Sequence, residues 1–153
     1  MKKPLSDVEI GSLSSPAFTD NHIAAYPPEY LAGIELFNAR EFHAAHDAWE
    51  ERWLGPVGPQ EKLFLQALIQ SAVVFHHLEL GRQGAARKMR EMAEEKFVRL
   101  GSKVFMSLDI DDFRRRVGAS LEWLLDQNDP RTMADADLEL PMIILVPGIM
   151  EFD

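Results

Sequence analysis

Residues 60–80 place the strongest constraint on the fold. Leu63, Phe64, Ala67, Leu68, Ile69, Ala72, Val74 and Phe75 spread apolar surface around nearly every side of one helical stretch. A helix that is apolar all round belongs at the middle of a bundle, where neighbours cover each face. Yet Gln66, Gln70, Val73 and His77 recur at three- and four-residue steps, so polar groups share a line on that helix. Polar groups buried along such a line need partners, either in the protein or in a ligand.

The flanking sequence supplies helices to surround it. Pro27-Pro28-Glu29 opens a helix whose apolar face is Leu31, Ile34, Leu36 and Phe37, with Asn38-Ala39-Arg40 as its exit. A second helix runs from about Glu41 to Leu54, and Gly55-Pro56-Val57-Gly58-Pro59 stops it and starts the central one. Gly81 ends the central helix. A fourth helix follows from Gln83 to Leu100 with Ala85, Met89, Met92, Ala93 and Phe97 inside, and Gly101 closes it. Asp109, with Asp112 three residues on, caps a fifth that runs to about Gln127. The expected fold is an all-α bundle of five or six helices around the helix at about 60–80. Residues 1–26 read as an N-terminal arm, broken by Pro4, Gly11, Pro16 and serines, and residues 27–153 as a single helical domain. Its C-terminal run Leu140-Pro141-Met142-Ile143-Ile144-Leu145-Val146 is bounded by prolines, which disfavours a central strand. It reads as an extended tail packed on the bundle. Phe37, Phe42 and Ala45 echo Leu78, Gln83 and Ala86 at a constant offset, as in tetratricopeptide-like helical hairpins.

Composition narrows the function. The 153 residues carry a net charge of −9, which opposes binding to nucleic-acid phosphates. The absence of cysteine excludes disulfides and thiolate chemistry and accords with a cytoplasmic protein. The start of the chain lacks the pattern of a secretory signal, and no segment is apolar for long enough to span a bilayer. Phosphate loops, dinucleotide fingerprints and nucleophile elbows are missing too. Arg114-Arg115-Arg116 follows Asp109, Asp111 and Asp112, so it reads as a charge-compensated solvated face.

The chemistry-bearing residues gather on two helices. Phe42, His46, Trp49 and Trp53 fall on one side of the second helix, with Glu50 one turn beyond His46. Facing Gln66, Gln70 and His77, they define a semi-buried polar site. In one reading, His46, Glu50, Gln66, Gln70 and His77 bond to one another and lock the helix register. In a second, His46, Glu50 and His77 hold a divalent metal, two imidazoles and a carboxylate leaving open positions. In a third, a His–Glu pair in low dielectric binds a small molecule or performs acid–base chemistry, with Trp49 and Trp53 as walls.

The pattern Tyr30-x-x-Gly33-x-x-x-Phe37-Asn38, Phe42-x-x-Ala45-His46-Asp47-x-Trp49-Glu50-x-x-Trp53, Gln66-x-Leu68-Ile69-Gln70-x-Ala72 and His77-Leu78-x-x-Gly81 resembles the domain-of-unknown-function 309 family over about Tyr30 to Leu100. The resemblance implies a small bacterial or archaeal all-helical domain with one central helix, and no established activity. His46, Trp49, Glu50, Gln66, Gln70 and His77 match its pattern. Asp47 stands where the family tends to have Glu, Arg40 where a Gly often closes the turn, His43 where an aromatic is usual, and Arg82 where Asn is usual. The functional expectation is a binding or structural module that takes a small molecule or a protein partner, not nucleic acid or membrane, with no cofactor and with oligomerisation left open. The alternatives are a metal-dependent or acid–base hydrolase-like enzyme using His46, Glu50 and His77, and a tetratricopeptide-like interaction unit.

Overall fold

The computed structural model describes residues 16–126 and 140–147. Among them, helices α1 (Asp20–Ala25), α2 (Pro28–Asn38), α3 (Phe42–Trp53), α4 (Pro59–Glu79), α5 (Gln83–Leu100) and α6 (Ile110–Leu125) form an all-α bundle. A two-stranded antiparallel hairpin, β1 (Val104–Phe105) and β2 (Leu108–Asp109), is inserted before α6, with Val104 opposite Asp109 and Phe105 opposite Leu108. Proline sits in the first turn of both α2 and α4, where its missing N–H costs nothing. The Asp109 carboxylate accepts from the Asp112 amide at 3.0 Å, which is the cap expected for α6. No helix of the described residues is long and apolar enough to cross a membrane.

The bundle is built from two helical hairpins, α2–α3 and α4–α5, joined by the packing of α3 on α4. Their turns match bond for bond. Arg40 and Glu41 donate backbone hydrogen bonds to Phe37 and Leu36 at 3.0 and 2.8 Å, and Gly81 and Arg82 donate to Leu78 and His77 at the same distances. Both turns pass through a left-handed residue, Arg40 at φ 67° and Gly81 at φ 75°. Glycine adopts that conformation freely, while arginine carries side-chain strain there. The echo between the two hairpins is therefore structural, even though the turn chemistry has diverged.

Helix α4 supplies the centre of the core through Phe64, Leu65, Ala67, Leu68, Ala72, Val74 and Phe75, all fully buried. Phe37 gathers Phe42, Trp49, Phe75 and Phe113 around it, with ring centroids 5.3–6.1 Å apart. α2 and α3 approach so closely that Gly33 lies against the Trp49 indole, where a Cβ would come within 3.0 Å of ring atoms. Trp49 Nε1 donates to the Tyr30 carbonyl at 3.0 Å in the same contact. On α5, Ala93 and Phe97 are buried as expected, but Met92 is exposed and the stem of Lys96 takes up space beside the core.

The C-terminal run is an extended strap, with Leu140, Ile143 and Leu145 buried and Met142 and Ile144 facing out. Asn38 acts as a strand edge for it. Its side-chain amide donates to the Ile143 carbonyl and its oxygen accepts from the Ile143 amide, both at 2.8 Å. Leu145 N donates to Ala17 O, and Val146 N to Ser107 O. Residues 16–26, placed in the arm on sequence grounds, contribute to this region. His22 is fully buried with Nε2 2.9 Å from the Val146 carbonyl, and the Tyr26 hydroxyl meets Ser107 Oγ at 2.8 Å. The arm before residue 16 and the acidic segment before Leu140 lie outside the described residues.

Candidate functional site

Helices α3 and α4 run antiparallel. At one end Arg52 Nε donates to Glu61 Oε2 at 2.9 Å, and Lys62 Nζ lies 5.0 Å from the centre of the Trp53 ring. At the other end the His43 and His76 rings are 5.1 Å apart. These contacts fix the register of the two helices and leave His46 and Glu50 between the two ends.

Successive residues turn about 100° on a helix, which separates two lines on α3. Phe42, Ala45 and Trp49 point into the core and are fully buried or nearly so. His46, Glu50 and Trp53 lie roughly 75° further round and are half-buried. Trp49 is therefore a core residue with its indole nitrogen satisfied, whereas Trp53 borders the seam. On α4 the complementary line is Leu63, Gln66, Ile69, Val73, His76 and His77, also half-buried, with Gln70 deeper. The central helix is thus enclosed except along this one side.

Among the described residues no hydrogen bond joins His46, Glu50, Gln66, Gln70 and His77 to one another. Four side-chain atoms on the seam are instead shielded from solvent and unbonded: Trp53 Nε1, Gln70 Oε1, His77 Nδ1 and, at the His43 end, His76 Nδ1. His77 titrates below the ordinary histidine range because burial disfavours its charged form, with Arg82 and His76 adding repulsion. It is neutral at pH 7, so the unbonded Nδ1 acts as an acceptor in one tautomer and as a donor in the other.

His46 is drawn toward a different set of neighbours. Its Nδ1 lies 2.9 Å from Asp47 Oδ1, while His43 Nδ1 lies 3.4 Å from Asp47 Oδ2. His43, His46 and Asp47 are the only group among the described residues whose potential metal-donor atoms all fall within 4.8 Å of one another. The trio expected from the sequence, His46, Glu50 and His77, does not converge in that way. His43 had no place in the sequence-derived site, because its position in the family pattern is aromatic and its contact with α4 depends on the inter-helix register.

A cleft of about 610 Å³ opens elsewhere, between the α2–α3 turn, α6 and the strap. Its polar walls are already engaged. Asp112 pairs with Arg115 and Arg116, Arg40 Nη1 donates to the Pro141 carbonyl at 3.2 Å, and Asn38 holds the strap. The cleft is the seat of the strap, and the shielded unbonded groups are on the α3–α4 seam except for Arg90 Nε of α5.

Residues 30–89 match the model of a family described as a domain of unknown function (DUF309). Over those residues the chain is similar to that family. The match runs from α2 through α3 and α4 into the start of α5, so the matched segment contains the whole seam and both of its ends. The hairpin, α6 and the strap lie beyond it. No curated protein matches the chain.

Proposed function

We propose that this domain is a cytosolic binding module whose α3–α4 seam takes up a small, elongated polar molecule. The observation that carries this reading is the set of unbonded, shielded atoms on Trp53, Gln70 and His77, in a seam whose other lining residues are half-buried, so an occupant reaches them by parting the seam side chains. Each such atom costs about 1–3 kcal/mol when left without a partner. A network serving only stability would have paired them. The seam also prescribes its ligand's chemistry. Trp53 Nε1 is a donor only, and Lys62 stands beside it, so that end favours an acceptor or an anionic group. Gln70 Oε1 and the Glu50 carboxylate call for donors along the middle. Gln70 and His77 are separated by about 10 Å of helix, which sets the scale of an occupant reaching both.

Substituting Gln70→Leu tests this reading. It removes an unbonded buried oxygen and keeps the side-chain bulk, so the melting temperature is expected to hold or rise. Thermal-shift screening of small dicarboxylates, amino acids and linear amines should identify stabilisers of the wild type whose effect is lost in Gln70→Leu and Trp53→Phe. A loss of 2 kcal/mol or more in Gln70→Leu would instead mark Gln70 as part of a stability network.

A further inference from the structure

We propose that the His43–His76 end of the seam is a binding site for a borderline divalent transition-metal ion such as Zn²⁺ or Ni²⁺, held by His43, His46 and Asp47 of α3 with His76 of α4. This assignment rests on a ligand set distinct from the polar middle of the seam and does not depend on its having an organic occupant. Two imidazole nitrogens already flank one carboxylate, at 2.9 and 3.4 Å. Ligands around a tetrahedral ion with metal–ligand bonds of 2.0–2.2 Å stand about 3.3 Å apart. The three donors therefore need only small side-chain adjustments to converge, and His43 and Asp47 are exposed enough to make them, at 64% and 58% side-chain exposure.

The second helix provides an independent sign. The His76 ring lies 5.1 Å from that of His43, so a modest swing of the ring brings it to the α3 trio, and its Nδ1 is shielded from solvent with Glu79 as its neighbour. Glu79 Oε1 is 3.5 Å from that nitrogen. A carboxylate behind one nitrogen is how metal-bound histidines are commonly oriented, leaving Nε2 to face the ion. Charge also favours a cation. Asp47 and Glu79 offset a divalent ion, while the facing dipole ends of α3 and α4 oppose each other. Imidazole nitrogens select zinc, nickel and copper over magnesium and calcium, which prefer oxygen ligands. An ion bound to both helices would clip the start of α3 to the end of α4 and stabilise the fold by mass action.

Isothermal titration of untagged, chelator-treated full-length protein with zinc chloride, followed by nickel chloride, tests the site. One ion per chain is expected, together with a higher melting temperature in zinc and no heat from magnesium chloride. His43→Asn and Asp47→Asn should each weaken zinc binding at least tenfold with circular dichroism unchanged, and His76→Asn should remove the thermal stabilisation. The proposal is overturned by the absence of zinc binding at 100 µM, by equal binding of magnesium, or by zinc binding that survives His43→Asn but is lost in Glu50→Gln.

Discussion

Replacing Gly33 by alanine adds a single carbon, and the structure predicts that it disrupts the contact on which α2 and α3 depend. The new Cβ would fall within 3.0 Å of indole atoms of Trp49, where carbon contacts normally stand at 3.5–4.0 Å. Trp49 is fully buried among Phe37 and its neighbours, so the ring has nowhere to go without moving the core. Overpacking of this kind costs about 1–3 kcal/mol. A ring shift also breaks the Trp49 Nε1–Tyr30 carbonyl bond, leaving a buried donor unbonded at a further cost of about 1–3 kcal/mol. Opposing this, alanine is favoured over glycine within a helix by about 1 kcal/mol. The balance is a loss of about 1–5 kcal/mol. At roughly 2–4 °C per kcal/mol for a chain of this size, the melting temperature should fall by at least about 2 °C. The control is Gly84→Ala in the first turn of α5, where a Cβ meets nothing within 4 Å. There the same chemistry should leave the melting temperature unchanged or raise it slightly. Thermal melts and urea titrations of both variants measure this directly. A Gly33→Ala protein that melts at or above the wild type would refute the close-approach reasoning.

Other consequences follow from single residues. Gly81→Ala should cost about 1 kcal/mol despite open space around it, because its φ of 75° penalises any Cβ; an unchanged urea midpoint would contradict this. Asn38→Ala strips both hydrogen bonds from Ile143 and should lower stability by about 1–3 kcal/mol while exposing the strap to limited proteolysis. His77 has a depressed pKa, so below about pH 6.5 the unfolded chain takes up a proton more readily than the folded one, and stability declines as pH falls through that window. His77→Gln should flatten the decline between pH 7.5 and 5.5 in urea titrations with chelator present, and an unaltered slope would remove the assignment.

The helices were legible because their signals are local. Proline openings at Pro28 and Pro59, left-handed glycine stops at Gly81 and Gly101 and the Asp109 cap all act within a turn of chain. The hairpin was not legible. Its turn passes through Met106 and Ser107 with φ of 48° and 63°, where the expected sequence is Asn-Gly. That conformation is held from a distance: the Tyr30 hydroxyl donates to the Met106 carbonyl at 2.9 Å, Tyr26 bonds Ser107, and Val146 N donates to the Ser107 carbonyl. Short α1 is capped locally by Thr19 and His22, but the contact that anchors it, His22 against the strap, is again distant. Of the candidate site, the residues were visible but not their partners. Helical spacing assigns His46 and Gln70 to facing lines, whereas pairing His43 with His76 requires the sliding register of two helices, which no local pattern encodes.

Trp49 and Trp53 show why that distinction matters for function. They are one turn apart on the same helix, and both belong to the same sequence motif. A rotation of about 40° between them decides that one ring enters the core and finds the Tyr30 carbonyl, while the other stops at the edge of the seam with its nitrogen shielded and unbonded. If apolar burial alone had selected the second position, phenylalanine would fill it without an unbonded donor. A tryptophan whose N–H finds no protein acceptor, beside a lysine and in line with an unbonded glutamine oxygen, is instead the arrangement expected where the missing acceptor arrives with a bound molecule.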